Sequence, residues 1–247
     1  MSTGIWAAAS GMVGQTAALD VAAGNIANAS TPGFRADRAL FRQTLAEASN
    51  RSTPTQSLRY SVARTVEPDM RPGQMVQTGR SLDVALTDKN SLFVVGTPEG
   101  ERYTRAGSFQ VASDGRLTTT GGATVLGAGR TPVTVPQGAR DVSISASGEL
   151  IVDGTESGTK LMVVTFARPN ALEKQGSVLL RATPAAGRPT EKEPDLSTGA
   201  LELSNSSAIE GMNTLVTATR EFEMLSRVVE AFSSIERRAA SDIMGNR

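Results

Sequence analysis

The two ends of the chain carry long helical patterns, and all eleven prolines lie between them, from Pro32 to Pro194. A proline inside a helix removes a backbone donor and clashes with the preceding turn, so long unbroken helices are confined to the two ends. At both ends apolar residues recur at heptad spacing, which is typical of a narrow seam that pairs with another helix. The N-terminal seam consists of Ile5, Met12, Leu19 and Ile26. The C-terminal seam consists of Leu215, Ala218, Phe222, Leu225, Val229 and Phe232. We predict that these ten residues form an assembly interface.

Local capping and stop signals place the ends of both helices. The first helix is predicted over residues 2–29, because Pro32 cannot donate and restricts the residue before it. The second begins with a capping box from Ser207 to Glu210 and is expected to close near Gly245.

The middle of the chain changes to short β-rich runs separated by turn residues. Asp114-Gly115 and Asp153-Gly154 are strong hairpin signals, since glycine supplies a positive φ without steric cost. The fold class is therefore α+β, with a central antiparallel β-rich domain between terminal helices. The predicted domains are an N-terminal axial helix and turn (1–34), an extended arm (35–80), a β-rich domain (81–183), a linker (184–200) and a C-terminal axial helix (201–247).

Composition and residue inventory argue against chemistry on a substrate. The 25 basic and 25 acidic residues balance, so no field attracts nucleic acid. The chain has no cysteine and no histidine, which removes thiolate and imidazole from the available nucleophiles, bases and metal ligands. Gly121-Gly122 superficially resembles a phosphate loop, but no Lys-Ser/Thr pair follows, so a β-turn is expected. We predict no enzymatic activity, cofactor, metal site or small-molecule substrate.

The sequence also predicts neither membrane insertion nor a cleaved signal peptide. No run of about 18 apolar residues is present to span a bilayer. The first thirty residues lack a basic residue and are interrupted by Gln15 and Asp20, unlike a secretory signal.

Two arrangements of the terminal seams stay open. They could close on each other as a helical hairpin within one monomer, or they could also bury against neighbouring subunits. Val228 and Ile235 widen the C-terminal apolar face beyond a single seam, which favours additional partners. Glycines such as Gly11 allow neighbouring helices to approach closely and weaken the N-terminal helix alone. We therefore expect the ends to become ordered on assembly.

The segments 25–34, NIANASTPGF, and 201–205, LELSN, belong to a set of motifs spread over nearly the whole chain. The first resembles the N-terminal signature, and the second the C-terminal signature, of the rod and hook axial proteins of the bacterial flagellum. Between them, 82–86 and 102–109 resemble the segment that rod and hook proteins share. Length and motif order look most like the proximal rod proteins. The residues that carry the two terminal signatures are Asn25, Asn28, Thr31, Gly33, Phe34, Glu202, Ser204 and Asn205.

The resemblance implies a structural subunit that polymerises helically, with terminal helices lining an inner core and β domains outside. It implies export through the flagellar type III apparatus without signal cleavage, and a location in the basal-body rod that crosses the periplasm as a drive shaft. The implied partners are other copies of the chain, neighbouring proximal and distal rod proteins and the export apparatus. Asn25, Asn28 and residues 31–34 are expected to turn the chain from the inner helix to the arm, or simply to terminate the helix. The alternatives are a distal rod or hook-type axial protein, and a secreted β-rich binding module that oligomerises through terminal coiled coils.

Overall fold

A helix lies at each end of the chain in the computed structural model, which describes residues 3–45 and 60–244. The helices are α1 (Thr3–Ala27) and α2 (Ala208–Met244). Helix α1 ends two residues earlier than predicted, because Asn28 already begins a turn in which its carbonyl accepts the Thr31 N–H at 3.1 Å. Helix α2 begins directly after the predicted cap, Ser207, while its predicted close near Gly245 lies outside the described residues. Within the described part of the chain, neither helix combines the length and apolarity needed to cross a membrane.

The region between the helices is β-rich, which confirms the α+β class. Its described strands are β1 (Asp37–Leu45), β2 (Tyr60–Pro68), β3 (Met75–Gln77), β4 (Val84–Leu86), β5 (Ser91–Thr97), β6 (Gly100–Thr104), β7 (Phe109–Val111), β8 (Leu117–Thr119), β9 (Thr124–Val125), β10 (Val142–Ile144), β11 (Glu149–Val152), β12 (Thr155–Lys160), β13 (Val163–Thr165), β14 (Glu173–Gln175), β15 (Leu179–Arg181), β16 (Thr190–Lys192), β17 (Leu196–Thr198) and β18 (Ala200–Glu202).

A nine-stranded sheet forms the centre of this region. Seven strands follow the order β14-β15-β6-β5-β9-β8-β7, while β13 pairs with β5 and carries β16 on its other side. A second sheet has the order β10-β11-β12, and three strand pairs, β1-β2, β17-β4 and β18-β3, complete the set within the described residues. The pairings within the two larger sheets are antiparallel, as predicted.

Strand β5 separates two apolar cores. Because successive side chains of a strand point to opposite faces, Phe93 joins one core while Leu92 and Val94 join the other. In the first core the rings of Phe93 and Phe109 meet edge to face with their centroids 5.3 Å apart. Five consecutive residues of β5, from Ser91, are buried, as expected for a strand covered on both faces.

The predicted turns are found where the sequence placed them. Gly115, with φ at +80°, lies in the turn between β7 and β8. Asp153 and Gly154 both have positive φ between β11 and β12, which is the geometry of a tight two-residue hairpin. The Gly122 N–H donates to the Thr119 carbonyl at 2.9 Å, so Gly121-Gly122 forms a turn between β8 and β9.

The predicted linker, 184–200, is not a free connector. It contributes β16, which pairs with β13, and β17, which pairs with β4. Leu196 at the start of β17 is buried in the first core and Ala186 in the second, so this segment is anchored despite the polar, proline-rich composition around it. The arm predicted over 35–80 likewise contains β1, β2 and β3. Composition predicted connectors here because it does not register backbone hydrogen bonds to distant strands.

The chain divides into two compact units, each formed from separate stretches of sequence. Unit 1 comprises Met1–Ile26, Arg38–Val66 and Ala208–Arg247, and unit 2 comprises Ala27–Asp37 and Glu67–Ser207. Unit 2 is therefore larger than the predicted β domain of 81–183. It includes the residues that directly follow α1 and directly precede α2.

Candidate assembly site

Helices α1 and α2 of unit 1 contact each other through reciprocal glycine notches. A Cβ placed on Gly11 of α1 would lie 3.0 Å from Cδ1 of Leu225, and one on Gly211 of α2 would lie 2.5 Å from Cγ1 of Ile26. Because residues 11 to 26 of one helix meet 225 to 211 of the other, the helices run antiparallel. Each glycine receives a large side chain from the opposite helix, which permits close approach of the two backbones.

The ten predicted interface residues all lie partly or fully out of solvent. Ala218 is buried, as are Ala8 and Ala22 of α1, and the other nine predicted residues are half-buried. The hairpin alternative is thus realised within one chain, since two seam residues, Leu225 and Ile26, fill the glycine notches of the opposite helix. The importance of Gly211 was not predicted, because only the position of Ile26 across the interface distinguishes it from any other helical glycine.

A second apolar stripe on α2 is exposed. At about 100° per residue, its members lie about 90–170° around the helix from the centre of the seam that faces α1. Met224 is 61% exposed and Ile235 is 60% exposed, although both are large and apolar. The stripe, called here the outer stripe, consists of Ile209, Met212, Val216, Met224, Val228 and Ile235. From the heptad pattern alone, only Val228 and Ile235 of this set were identified.

The notch geometry predicts opposite effects for two glycine-to-alanine substitutions. Gly24→Ala adds a Cβ with none of the described atoms within 4 Å, so it should stabilise the helix pair by up to about 1 kcal/mol through helix propensity. Gly211→Ala gains the same propensity but must displace Ile26, so the melting temperature should fall or stay unchanged. Thermal unfolding followed by the helical circular dichroism signal measures both. Equal stabilisation by the two changes would show that the notch at Gly211 is not occupied.

Unit 2 contains a buried polar arrangement, called here the junction cluster, around the two family signatures. It consists of Gly33, Arg35, Arg105, Glu202 and Asn205, together with the backbone of residues 69–73. The side chains of Arg35, Arg105 and Glu202 are all at least 98% buried. Buried charges require paired and hydrogen-bonded partners, so these contacts determine how the surrounding chain can be arranged.

Glu202, in β18, bonds to three separate parts of unit 2. Its Oε1 lies 2.6 Å from Arg35 Nη1 and accepts the Gly73 N–H at 2.8 Å. Its Oε2 accepts hydrogen bonds from Nε and Nη2 of Arg105, and its backbone carbonyl accepts the Gly33 N–H at 2.7 Å. Gly33 has φ at +71°, and a Cβ there would lie 2.2 Å from the backbone nitrogen of Ala106. Glycine is therefore required at this position of the signature.

Asn205 uses both ends of its side-chain amide. The oxygen accepts the Ala36 N–H at 2.7 Å, while the nitrogen donates to the carbonyls of Asp69 and Arg71, each at 2.8 Å. The Asn205 backbone N–H donates to the Phe34 carbonyl at 3.4 Å. Asn205 thus joins the chain that leaves α1 to the stretch after β2.

Phe34 is held beneath a half-buried lysine of β14. The Lys174 Nζ lies 3.9 Å from the centroid of the Phe34 ring, donates to the Arg35 carbonyl at 2.6 Å and pairs with Asp37 at 2.9 Å. Burial lowers the pKa of Lys174, and the neighbouring carboxylate of Asp37 opposes that shift. Phe34 is itself buried, so the last residue of the N-terminal signature belongs to unit 2.

The remaining signature residues form the turn that follows α1 and the approach to α2. Thr31 Oγ1 lies 3.3 Å from Asn28 Oδ1, and the Phe34 N–H donates to the Thr31 carbonyl at 3.2 Å. Asn25 lies in the last turn of α1, and Ser204 Oγ accepts the Ser206 N–H at 3.0 Å. The expected turn is therefore present, while its role in assembly stays a prediction.

The two arginines of the cluster use their guanidinium groups differently. Every nitrogen of Arg105 donates, and apart from Glu202 its acceptors are backbone carbonyls. These carbonyls belong to Leu86, Asp88 and Ser91. Arg35 donates only through Nη1, since its Nε and Nη2 are buried without a partner among the described residues. Burial lowers the pKa of Arg35, partly offset by the adjacent Glu202 carboxylate.

Lysine should therefore preserve stability in place of Arg35 but not in place of Arg105. Arg35→Lys keeps a single donor near Glu202 and removes the two buried nitrogens that lack a partner among the described residues, so stability should change by less than about 1 kcal/mol. Arg105→Lys cannot reproduce a planar fork that donates in three directions, so it should cost at least about 2 kcal/mol. Urea unfolding of the two variants measures the difference. Equal losses would contradict the assigned hydrogen bonds.

Sequence reasoning identified Glu202 and Asn205 by resemblance but missed the roles of Arg35, Asp69 and Lys174. No local pattern could reveal them, because Lys174 and Arg35 are 139 positions apart and Asp69 and Asn205 are 136 apart.

Comparison with known proteins matches both ends of the chain and its middle to models of flagellar proteins. The model of the "Flagella basal body rod protein" family matches residues 5–35, that of the "Flagellar hook protein FlgE/F/G D1 domain" matches 89–152, and that of the "Flagellar basal body rod FlgEFG protein C-terminal" matches 197–242.

Individual relatives extend the match over most of the chain. The flagellar basal-body rod protein FlgF of Salmonella typhimurium is 34% identical over 231 residues, covering 89% of both chains. FlgF of Escherichia coli is 36% identical over 226 residues, covering 85% of this chain and 86% of the relative. FlgG of Bacillus subtilis is 31% identical over 256 residues, covering 95% and 97%.

Signatures at both ends, a central domain and full-length relatives together define a structural protein of the flagellar axis. The chain belongs to the family of flagellar basal-body rod proteins. The resemblance to rod proteins of the FlgF type is thereby confirmed.

Proposed function

We propose that this chain is a non-enzymatic subunit of the proximal rod, which polymerises helically through its terminal helices. The polymer would form part of the drive shaft that crosses the periplasm and transmits torque from motor to hook. Partners would be other copies of the chain and adjoining rod proteins. Delivery would use the flagellar export apparatus without signal cleavage. Family membership supports the rod assignment, and the surface of α2 supports the mode of assembly.

The exposed outer stripe of α2 carries the proposal. One face of α2 is occupied by α1 of the same chain, while the outer stripe leaves six large apolar side chains in water. Burying one such side chain contributes about 1.5–3 kcal/mol, so several per subunit can offset the entropy of ordering the helices. An open helical polymer requires this stripe to meet a different surface of the next subunit, because a self-complementary contact would close into a dimer.

A charge on the outer stripe should block assembly without unfolding the subunit. Met224→Asp places a carboxylate at a position that is 61% exposed in the single chain, so the monomer should melt within a few degrees of the parent protein. Packing that side chain against a neighbour would bury an unpaired charge, so incorporation into rods and motility should be lost. The variant is expressed in a strain that lacks the parent subunit. Motility is scored in those cells, and incorporation is measured by detecting the subunit in purified basal bodies.

Two matched variants distinguish an effect of the outer stripe from a general effect of the substitution on helix α2. Met224→Leu keeps an apolar side chain and should assemble normally. Glu223→Asp places the same aspartate on the neighbouring residue, where an exposed carboxylate is already present, and should also assemble. Normal rods in the Met224→Asp strain would exclude the outer stripe as an assembly surface.

A distal rod position is the second candidate, because the FlgG protein of Bacillus subtilis matches 95% of this chain. Photo-crosslinking from an exposed position in assembled rods distinguishes the two. Crosslinks to proteins at the base of the rod would support the proximal position, whereas crosslinks to hook-side proteins would support the distal one. The secreted binding-module alternative is set aside, since membership of the rod family accounts for the same helical ends.

A further inference from the structure

The chain passes between its two units at four places, and the junction cluster holds the unit 2 side of each. The crossings follow Ile26, Asp37, Val66 and Ser207. Gly33 and Arg35 lie between the first two crossings, and Asp69 lies three residues after Val66. Asn205 lies two residues before Ser207. Every route by which force could pass along the backbone between the units therefore runs close to this cluster.

Two side chains connect these routes to one another. The amide of Asn205 joins the second, third and fourth crossings through Ala36, Asp69 and its own backbone. Glu202 contacts the segment after the first crossing, because its carbonyl accepts the Gly33 N–H. Its carboxylate also bonds to Arg105, which connects these segments to the β sheets. Two backbone hydrogen bonds also connect these segments. The Asp69 N–H donates to the Ala36 carbonyl, and the Leu203 N–H donates to the Gln74 carbonyl.

The chemistry of the cluster suits fixed geometry better than bulk stability. A buried ion pair gains little over apolar side chains of the same volume, since both charges lose their hydration. Directional bonds, however, hold chain segments in one register. Both arginines and Glu202 are fully buried here, and two guanidinium nitrogens of Arg35 have no partner among the residues that the structure describes. Stability alone would be served as well by packed apolar side chains.

We propose that the junction cluster is a load-sharing clamp, a single cooperative element that gathers all four chain crossings. Force applied to unit 1 would then be divided among four backbone segments and passed into the β sheets, and no one segment would carry it alone. The meaning of that load depends on the proposed function, whereas the cooperativity of the clamp is a property of the isolated subunit.

Hydrogen exchange on the full-length monomer tests the clamp with Asn205→Ala. The amides of Gly33 and Gly73 bond to Glu202 and have no hydrogen bond to Asn205. If the cluster opens as one element, their protection should fall about tenfold together with that of Ala36, while amides of β5 and β6 keep theirs. A loss confined to Ala36, or an equal loss throughout unit 2, would overturn the proposal.

Controls and a second variant keep the result interpretable. Asn170→Ala removes an exposed asparagine from another turn of unit 2 and should change no protection at the cluster. Asn205→Ser keeps a smaller polar group and should give a weaker loss at the same amides if Asn205→Ala fails to fold. Cells carrying Asn205→Ala should then swim in dilute medium but stop rotating in viscous medium. Failure of rod incorporation would count against the proposed function, while the exchange result would still decide the clamp.

Discussion

The Glu202→Gln variant should lose about 3–5 kcal/mol of the free energy of unfolding of unit 2. Glutamine has the same size and can still accept hydrogen bonds, but it removes the only carboxylate that contacts Arg35 and Arg105 among the described residues. Two buried guanidinium groups would then lack the carboxylate that pairs with both, and only the Asp69 carboxylate would still offset the charge of Arg35. Urea unfolding followed by far-ultraviolet circular dichroism gives the loss directly, and little folded subunit should be available for rods.

The matched control is Glu191→Gln in β16, where the carboxylate is exposed. The same chemical change there should alter stability by no more than about 0.5 kcal/mol, since surface charges contribute little. The two variants therefore differ in burial and pairing, not in chemistry. A Glu202→Gln protein as stable as the control would mean that this carboxylate does not bridge the two arginines.

The second large effect is expected for Gly33→Ala, which should lower the free energy of unfolding by about 3 kcal/mol or more. Its φ of +71° disfavours any residue with a Cβ, by about 1–2 kcal/mol. The added Cβ would also lie 2.2 Å from the nitrogen and 2.4 Å from the Cα of Ala106, and backbone atoms cannot rotate away. The Gly33 N–H would then separate from the Glu202 carbonyl, which loosens the chain that follows α1.

Gly79→Ala separates the clash from the backbone strain. Gly79 has nearly the same φ, +72°, but a Cβ there would have nothing within 4 Å. Its cost should be the conformational term alone, about 1–2 kcal/mol. Thermal unfolding of both variants checks the difference, which is expected to exceed about 1 kcal/mol. Equal costs would place the Gly33 turn away from Ala106.

Heptad spacing was enough to predict both helices, while the assembly role of the ten seam residues stays a prediction. Ile26 and Leu225 were assigned to the seams from periodicity, and both fill notches in the opposite helix. Periodicity could not identify Gly211 as a notch, because the residue it accommodates is 185 positions away. It also found only part of the outer stripe, since Ile209 and Met224 do not continue the seam repeat.

The connectors show a different limit. Proline-rich composition predicted a linker over 184–200, yet β16 and β17 pair there with strands that lie earlier in the chain. Turn chemistry is local, so Asp114-Gly115 and Asp153-Gly154 were placed correctly. Strand pairing is not local. Short polar strands that pair with distant segments therefore cannot be recognised from composition.

By itself the sequence determined the α+β order of elements, the two helical seams, the hairpin turns and, through its terminal signatures, the rod protein family. These features depend on residues within a turn or a heptad of each other, where steric and periodic rules apply directly. Only the tertiary structure decided that Glu202 and Asn205 meet Arg35, Arg105 and the chain after β2. Those contacts join segments up to 169 positions apart, and a buried charge selects its partner by folded geometry, which no local pattern encodes.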